Sequence, residues 1–289
     1  MKINCVILNY NDAETVLGLV EEICGYQALD RIVVVDNAST DDSWAKLEGL
    51  KTQYENIDVL RSEKNGGYGA GNNLGIRHAV NVNGADYVLI ANPDVKFSEE
   101  CVRTLAGVLN RHPELAVATA LMEDQTFGEM KNGWKLHGFW GELIVMGPIS
   151  RRLFGKWLNY PDAYFTGKKA VYVDAVHGSM LMVDGKKFLE SGGYDEGIFL
   201  YQEETVLASR LRAKGYKTVL VLNEKYRHEH SVSIKKSFKG QMERQKLRNA
   251  SVLYYMKNYL DICRVKEAVA KLWFAVIMLE IKVAGIFGL

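Results

Sequence analysis

Adjacent carboxylates supply the first chemistry. Glu203 and Glu204 follow Tyr201-Gln202 and open a segment, Glu203 to Lys214, that reads as a helix closed by Gly215. Acids in a first helical turn are favoured by the helix dipole, which accounts for one of the two. The other, aimed into a crevice, can take a proton from a hydroxyl nucleophile. A third carboxylate, Asp94, ends Asn92-Pro93-Asp94. There it can hold a hard divalent cation bridging two phosphates, since Mg²⁺ keeps enough water to need only one or two protein carboxylates. A proline turn, with Asp94 capping a helix at Ser98, explains the same residues equally well. His228-Glu229-His230 can contribute a metal ligand or a phosphate contact, although a lone His-x-His is more often structural. There is no Ser-His-Asp grouping and no Gly-x-Ser-x-Gly turn.

Two further motifs are suited to binding. Asp36-Asn37-Ala38-Ser39-Thr40-Asp41-Asp42 follows a β-branched run, and a carboxylate there suits a ribose hydroxyl or a base N–H. Helix capping by Ser39 and Asp41 is compatible with that role. The loop Asn65 to Asn73 carries Gly66, Gly67, Gly69 and Gly71. It lacks the Gly-Lys-Ser/Thr of a phosphate-binding P-loop, and it is misplaced for a dinucleotide fingerprint, which belongs after the first strand. What remains is a backbone that can approach a ligand closely, beside a helix start that favours an anion.

The elements that must position these groups alternate. Strands are expected at Ile3 to Leu8, Arg31 to Asp36, Ile57 to Leu60, Tyr87 to Ala91 and Ala116 to Ala120. Helices are expected at Ala13 to Ile23, from Ser39 or Thr40 to about Leu50, from about Asn72, and at Ser98 to Asn110. This order gives an α/β fold with a mostly parallel sheet and helices on both faces. Residues 122 to 170 read as long loops with short elements, and regularity returns at Ala170 to Val176, Ser179 to Val183 and Lys217 to Leu222. Phe238 to Tyr259 is a basic helical stretch, and Glu267 to Leu289 is apolar but interrupted by Lys271, Glu280 and Lys282, so it is not a clean spanning segment.

Composition narrows the classes. The 289 residues carry 36 Lys+Arg against 35 Asp+Glu, net +1, which argues against nucleic-acid binding by bulk charge. With 48% hydrophobic and 25% charged residues the chain is not disordered. Cys5, Cys24, Cys101 and Cys263 form no Cys-x-x-Cys pair and read as small apolar residues of a reducing compartment. No secretory signal opens the sequence, so an intracellular protein is expected.

Each motif is weak alone, and their order is specific. Asn9-Tyr10-Asn11 closes the first strand. Then come Val-Val-Val-Asp36-Asn37-Ala-Ser39-Thr-Asp41, Asn65-Gly66-Gly67 with Asn72, and Asn92-Pro93-Asp94. Gly192-Gly193-Tyr194-Asp195-Glu196, Tyr201-Gln-Glu203-Glu204, Arg210 and Gly215-Tyr216 follow. Over about residues 2 to 233 this resembles glycosyltransferase family 2, of GT-A fold, and its bacterial rhamnosyltransferase-like branch. The resemblance implies a Rossmann-like catalytic domain over 1–233, with a nucleotide-sugar half to about 121 and an acceptor half over about 122–233. Amphipathic helices over 234–289 follow it. It also implies a nucleotide-diphosphate sugar donor, Mg²⁺ or Mn²⁺, and inversion at the anomeric carbon. dTDP-rhamnose is the favoured donor, and the acceptor is a glycan or lipid-linked saccharide of cell-surface polysaccharide synthesis.

Carried over residue by residue, Asp36 contacts the nucleoside with Asn9, Asn11 and Asn37 nearby, and Gly66, Gly67, Asn72 and Asn92 complete the donor side. Asn92-Pro93-Asp94 stands where the family often has Asp-x-Asp, leaving Asp94 as the metal carboxylate. Glu204 takes the catalytic-base position, usually Asp in a Glu-Asp pair, so Glu203 stays an alternative. A second family acid two residues on is Val206 here. His230 matches a C-terminal His that ligates the metal or touches the diphosphate, and His177-Gly178 lies on the acceptor side.

Many members of the family act at the cytoplasmic face of the membrane. Lys235, Lys236, Lys239, Arg244, Lys246 and Arg248, followed by the apolar end, fit peripheral contact with an anionic inner membrane face. Packing on the catalytic domain or a homodimer explains them as well. Two other classes compete: a non-catalytic nucleotide-sugar-binding or scaffolding module of the same fold, and a nucleotidyltransferase, whose Arg/Lys-containing phosphate loop Asn9-Tyr10-Asn11-Asp12 does not match.

Overall fold

A computed structural model describes residues 1–124, 128–229 and 240–287, with side chains through 282. Strands β1 (Ile3–Asn9), β2 (Arg31–Asp36) and β4 (Tyr87–Ala91) are buried along almost every residue. Runs that are apolar on consecutive residues need cover on both faces, so they form the middle of the sheet. With β3 (Ile57–Arg61) they make a parallel set in the order β3-β2-β1-β4. The connections are α1 (Ala13–Ile23), the short α2 (Ser43–Glu48) and α3 (Leu50–Gln53), and α4 (Gly67–Asn81). One apolar core lies on each face of the sheet.

Past β4 the sheet becomes mixed. The elements are β5 (Val95–Phe97), α5 (Glu99–Arg111), β6 (Leu115–Asp124), β7 (Gly128–Met130) and β8 (Gly133–Trp134). Then come α6 (Phe139–Met146), α7 (Pro148–Leu158), β9 (Ala170–Val173), β10 (Ala175–Val176), β11 (Met180–Asp184) and α8 (Gly185–Glu190). The chain continues through α9 (Glu203–Ala213), β12 (Lys217–His228), α10 (Gln241–Tyr259) and α11 (Arg264–Phe287). β11 runs antiparallel between β4 and β6, because the chain leaves the sheet after β6 and re-enters in the opposite sense. β12 is parallel to β6 and antiparallel to β5 and β9. The expected parallel character therefore holds for the first half and gives way in the second.

Three local expectations change. The third long helix begins at Gly67 rather than near Asn72. Its glycines allow close seating on the sheet: a Cβ on Gly71 would lie 2.4 Å from Leu8, and one on Gly75 would lie 2.6 Å from Val6. Ser39 caps no helix, since α2 starts at Ser43 and Asp41 takes the Ser43 N–H at 3.0 Å. The expected long loop contains α6 and α7, with Pro148 at the first turn of α7, where its missing N–H costs nothing.

The C-terminal helices pack on the α/β body. Val252 and Met256 of α10 and Phe274, Ile277 and Ile281 of α11 share a core with Phe139, Leu143 and Met146 of α6. Tyr255 of α10 packs with Ile198 and with Val206 of α9. Among the described residues no helix is long and apolar enough to cross a membrane.

Candidate functional site

Asp36 ends β2 fully buried, and its carboxylate is satisfied from inside. Oδ1 accepts from Asn9 Nδ2 at 2.9 Å, Oδ2 accepts from Ser39 N at 3.2 Å, and Arg61 Nε stands 3.7 Å away. Asn9, also fully buried, donates to Ser39 Oγ at 3.0 Å, and that oxygen takes the Asn11 N–H as well. Asn11 and Ala38 hold left-handed backbone, with Asn11 and Thr40 exchanging bonds across the gap. Asn37 carries the network onward: its Nδ2 donates to Asn65 Oδ1 at 3.0 Å and to Gly67 O at 3.1 Å. Gly67 has φ +88, and a Cβ there would sit 2.1 Å from Phe199 O, so the glycine loop is clasped against the segment before α9. Asn72 is buried within α4 and donates to Tyr68 O at 3.0 Å, whereas Gly66, Asn11 and Asn92 keep partial exposure.

Asp94 is not spent on a cap, because Ser98 Oγ itself accepts the Cys101 N–H at 3.1 Å and caps α5. Its Oδ2 lies 3.4 Å from Nε2 of His228, the last residue of β12, whose ring centroid is 5.7 Å from that of His177. Glu229 N donates to Asp94 O at 2.9 Å and fixes this corner. His230, expected as the metal imidazole, lies outside the described residues. No group of three or more His, Cys, Asp or Glu that could hold a metal occurs among the described residues. One carboxylate beside one imidazole nevertheless fits a hard cation that takes its other ligands from water and phosphate.

Glu203 and Glu204 start α9 side by side in different surroundings. Glu203 is only 4% exposed, its Oε1 meets no partner among the described residues, and burial together with the Glu204 charge pushes its pKa up to about 8. Glu204 is half-buried, and its Oε1 accepts the Gly178 N–H at 3.0 Å. A Cβ on Gly178 would lie 2.7 Å from that oxygen, so any larger residue there would have to move the carboxylate. Before the pair, Tyr201 and Gln202 both hold left-handed backbone, at φ 71 and 73. Two consecutive non-glycine residues there cost about 1–3 kcal/mol each, strain that the surrounding structure sustains. The supports are extensive. Gly193 and Tyr194 turn on Asn73, whose side chain exchanges bonds with Tyr194 N and O at 3.0 and 2.9 Å. Asp195 pairs with Arg210 Nη2 at 3.0 Å and accepts from the hydroxyls of Tyr254 and Tyr259 on α10.

The pair faces a cavity of about 1130 Å³. His177, Gly178 and Ser179 line one part of it, and Arg151 and Lys156 of α7 with Arg248 of α10 line another. His177 Nδ1 accepts the Ser179 N–H at 3.1 Å, and Ser179 Oγ meets the buried Tyr226 hydroxyl at 2.8 Å. Glu142 lies within the same wall, taking a bond from Gln202 Nε2 at 3.2 Å, with His137 Nδ1 3.6 Å away. Sequence reasoning missed Ser39, His228, Arg151 and Arg248 as site residues. His228 belonged to the His-x-His that drew attention to His230, and Arg248 read as one more charge on a basic helix.

A family model described as Glycosyl transferase family 2 matches residues 5–177, more than half of the chain. The chain is 26% identical over 212 residues to a low-salt glycan biosynthesis hexosyltransferase of Haloferax volcanii, covering 73% of this chain and 61% of that protein. It is 26% identical over 211 residues to an N-acetylglucosaminyl-diphospho-decaprenol L-rhamnosyltransferase of Mycobacterium tuberculosis, covering 70% and 67%. It thus spans 61–67% of the length of these two relatives. A mannosyltransferase of Pyrobaculum calidifontis, solved with GDP-Man and Mn²⁺, superposes with TM-score 0.61 at 13% identity, over 98% of this chain and 75% of that one. At that identity the likeness speaks to the fold, which is GT-A. With the family model spanning the sheet from β1 to His177, this chain belongs to glycosyl transferase family 2.

Proposed function

We propose that this glycosyltransferase inverts the anomeric carbon while moving a sugar from a nucleotide diphosphate to a hydroxyl of a glycan or lipid-linked saccharide. dTDP-rhamnose is the favoured donor, and cell-surface polysaccharide synthesis is the setting. The observation that carries the reading is the split environment of the two glutamates. A base must be ionised before it can act, and Glu203 is held neutral near pH 7, whereas Glu204 is oriented by the Gly178 N–H toward the cavity. The donor lies over Asn9, Asn11, Asp36, Asn37, Gly66, Gly67, Asn72 and Asn92. The buried network fixes the loops, and Asn11, Gly66 and Asn92 offer the accessible atoms. The acceptor enters beside His177 and Gly178.

The acceptor hydroxyl gives its proton to the Glu204 carboxylate as its oxygen bonds to the anomeric carbon. The bond from that carbon to the diphosphate oxygen breaks on the opposite face, and both electrons leave with the nucleoside diphosphate. Mg²⁺ or Mn²⁺ bound at Asp94, with His228 beside it and His230 as a further candidate, would neutralise charge growing on that leaving group. Glu203, kept protonated, spares the site a second negative charge next to the base. Asp36 and the glycine loop hold the nucleoside and diphosphate in register with Glu204.

Glu204→Gln should bind the donor nucleotide as the parent does and lose about 10²–10⁴ in turnover, the share that a positioned base contributes. Unchanged turnover, with Glu203→Gln inactive, would move the role to Glu203. Thermal-shift titration with UDP-, GDP- and dTDP-sugars, with and without Mg²⁺ or Mn²⁺, identifies the donor. Stabilisation by a nucleotide sugar without any transfer or donor hydrolysis would favour the non-catalytic module.

We further propose peripheral contact with the cytoplasmic face of an anionic membrane. Val265, Val269, Leu272, Val276 and Leu279 leave an exposed apolar stripe along α11, with Lys266 and Lys271 nearby. The protein should pellet with anionic liposomes, and truncation after Tyr259 should abolish this. A dimer that stays in the supernatant would assign the stripe to a second copy of the chain instead.

A further inference from the structure

We infer that Arg151 and Arg248 form a subsite for a phosphate group carried by the acceptor. This rests on the reading above that the acceptor enters the cavity facing Glu204. Arg151 comes from α7 and Arg248 from α10, and both line that cavity with Glu203 and Glu204. The Arg248 guanidinium stands over the Tyr201 ring, 4.9 Å from its centroid, which places it against the strained turn that leads into the glutamates. The two arginines line the same wall, and burial with the Arg151 charge lowers the Arg248 pKa against an opposing contribution from Tyr201. Arg248 and Arg151 are both exposed where they line the cavity, so an entering ligand can reach their head groups.

Apart from the buried Glu203, the carboxylates in this wall have other partners. Glu142 is engaged by Gln202 and His137, Asp162 pairs with Lys131 at 2.7 Å, and Glu204 takes the Gly178 N–H. Among the described residues no carboxylate forms an ion pair with Arg151 or Arg248. Two exposed like charges on one cavity wall without a protein counter-ion offer a seat to an anion, and the planar guanidinium fork matches phosphate oxygens in pairs. Lys156, also in the lining, adds positive charge. Of the residues assigned to the donor and metal, Asn92 reaches this cavity, whereas Asp36, Gly67, Asp94 and His228 do not line it. The arginines, on helices that carry none of the donor residues, are assigned to a second phosphate, on the acceptor.

The test uses geranyl diphosphate and geraniol as probes, with UDP and dTDP as donor-side controls, each titrated against the full chain by calorimetry. Geranyl diphosphate should bind at least tenfold more tightly than geraniol. Arg248→Met and Arg151→Met should each weaken it tenfold or more, Arg248→Lys should recover part of the loss, and nucleotide affinity should be unchanged in all three. The unfolding temperature without ligand checks that each variant is folded. If Arg248→Met is not, the exposed Arg151→Met carries the result. Equal binding of geraniol, or unaltered diphosphate affinity in the variants, overturns the subsite. A parallel loss of nucleotide affinity overturns it too, by assigning the arginines to the donor. Failure of every nucleotide to bind the parent would instead defeat the proposed function and leave the geranyl comparison readable.

Discussion

The two sides of the crevice use polar groups in opposite ways. Around Asp36 most polar atoms are spent on one another: Asn9, Ser39, Asn37, Asn65 and Gly67 form a relay whose central members are buried, with Asn37 Oδ1 left without a partner among the described residues. Around Glu204 the structure leaves a recess, one buried acid whose pKa is pushed up to about 8, and two exposed arginines that pair with no carboxylate among the described residues. The first arrangement suits a ligand that is the same in every turnover, because preset loops spend little free energy on ordering. The second leaves charge available for whatever enters. Substitutions around Glu204 should therefore lower turnover with little loss of stability, and those around Asp36 should lower stability first.

Gly178→Ala should show the largest effect. Its methyl would displace the Glu204 carboxylate, and a misplacement of about 1 Å costs about 10²-fold in rate. Single-turnover transfer should fall by that factor while nucleotide affinity holds; full activity would mean that the Gly178 contact does not position the base. Asn9→Ala comes next. It strips a donor from the buried Asp36 carboxylate and should cost about 1–3 kcal/mol in urea unfolding, because a buried acceptor loses its partner. A smaller cost than that of an exposed Asn→Ala control would show the relay to be dispensable.

The pH dependence at Glu203 should be smaller but clear in sign. In the folded protein its carboxyl stays protonated up to about pH 8, whereas in the unfolded chain it ionises near the ordinary carboxylate value. Between those limits unfolding releases a proton, so this group's share of stability declines as pH rises. Glu203→Gln should match the parent near pH 4 and exceed it progressively toward pH 8. Parallel urea midpoints for the two proteins from pH 5 to 8 would show that the acid is already ionised in the fold.

Legibility in the sequence followed locality. The parallel strands declared themselves because β-branched runs buried on both faces leave no other reading, and Asp36 and Asp94 could be placed because each directly follows such a run. The reversed direction of β11 depends on where a long excursion returns, which no local pattern encodes. Ser39 resembled a cap because capping and network roles draw on the same hydroxyl. Arg248 could not be told from its basic neighbours, since only packing against Tyr201 distinguishes it from a solvated helical charge. The left-handed Tyr201 and Gln202 carry no sequence mark, because neither residue type favours that conformation.

The bonds from Tyr254 and Tyr259 to Asp195, with Arg210 Nε donating to Tyr259 Oη at 2.8 Å, impose an order of events on the growing chain. Domains fold largely as they emerge from the ribosome, and every strand of the sheet precedes α10. The loop that presents Glu203 and Glu204 is thus synthesised well before the residues that fasten it. A nascent chain can complete its sheet while the turn that carries the proposed base still lacks its clasp, so that turn is fully fastened only when the last of these tyrosines has been made and docked.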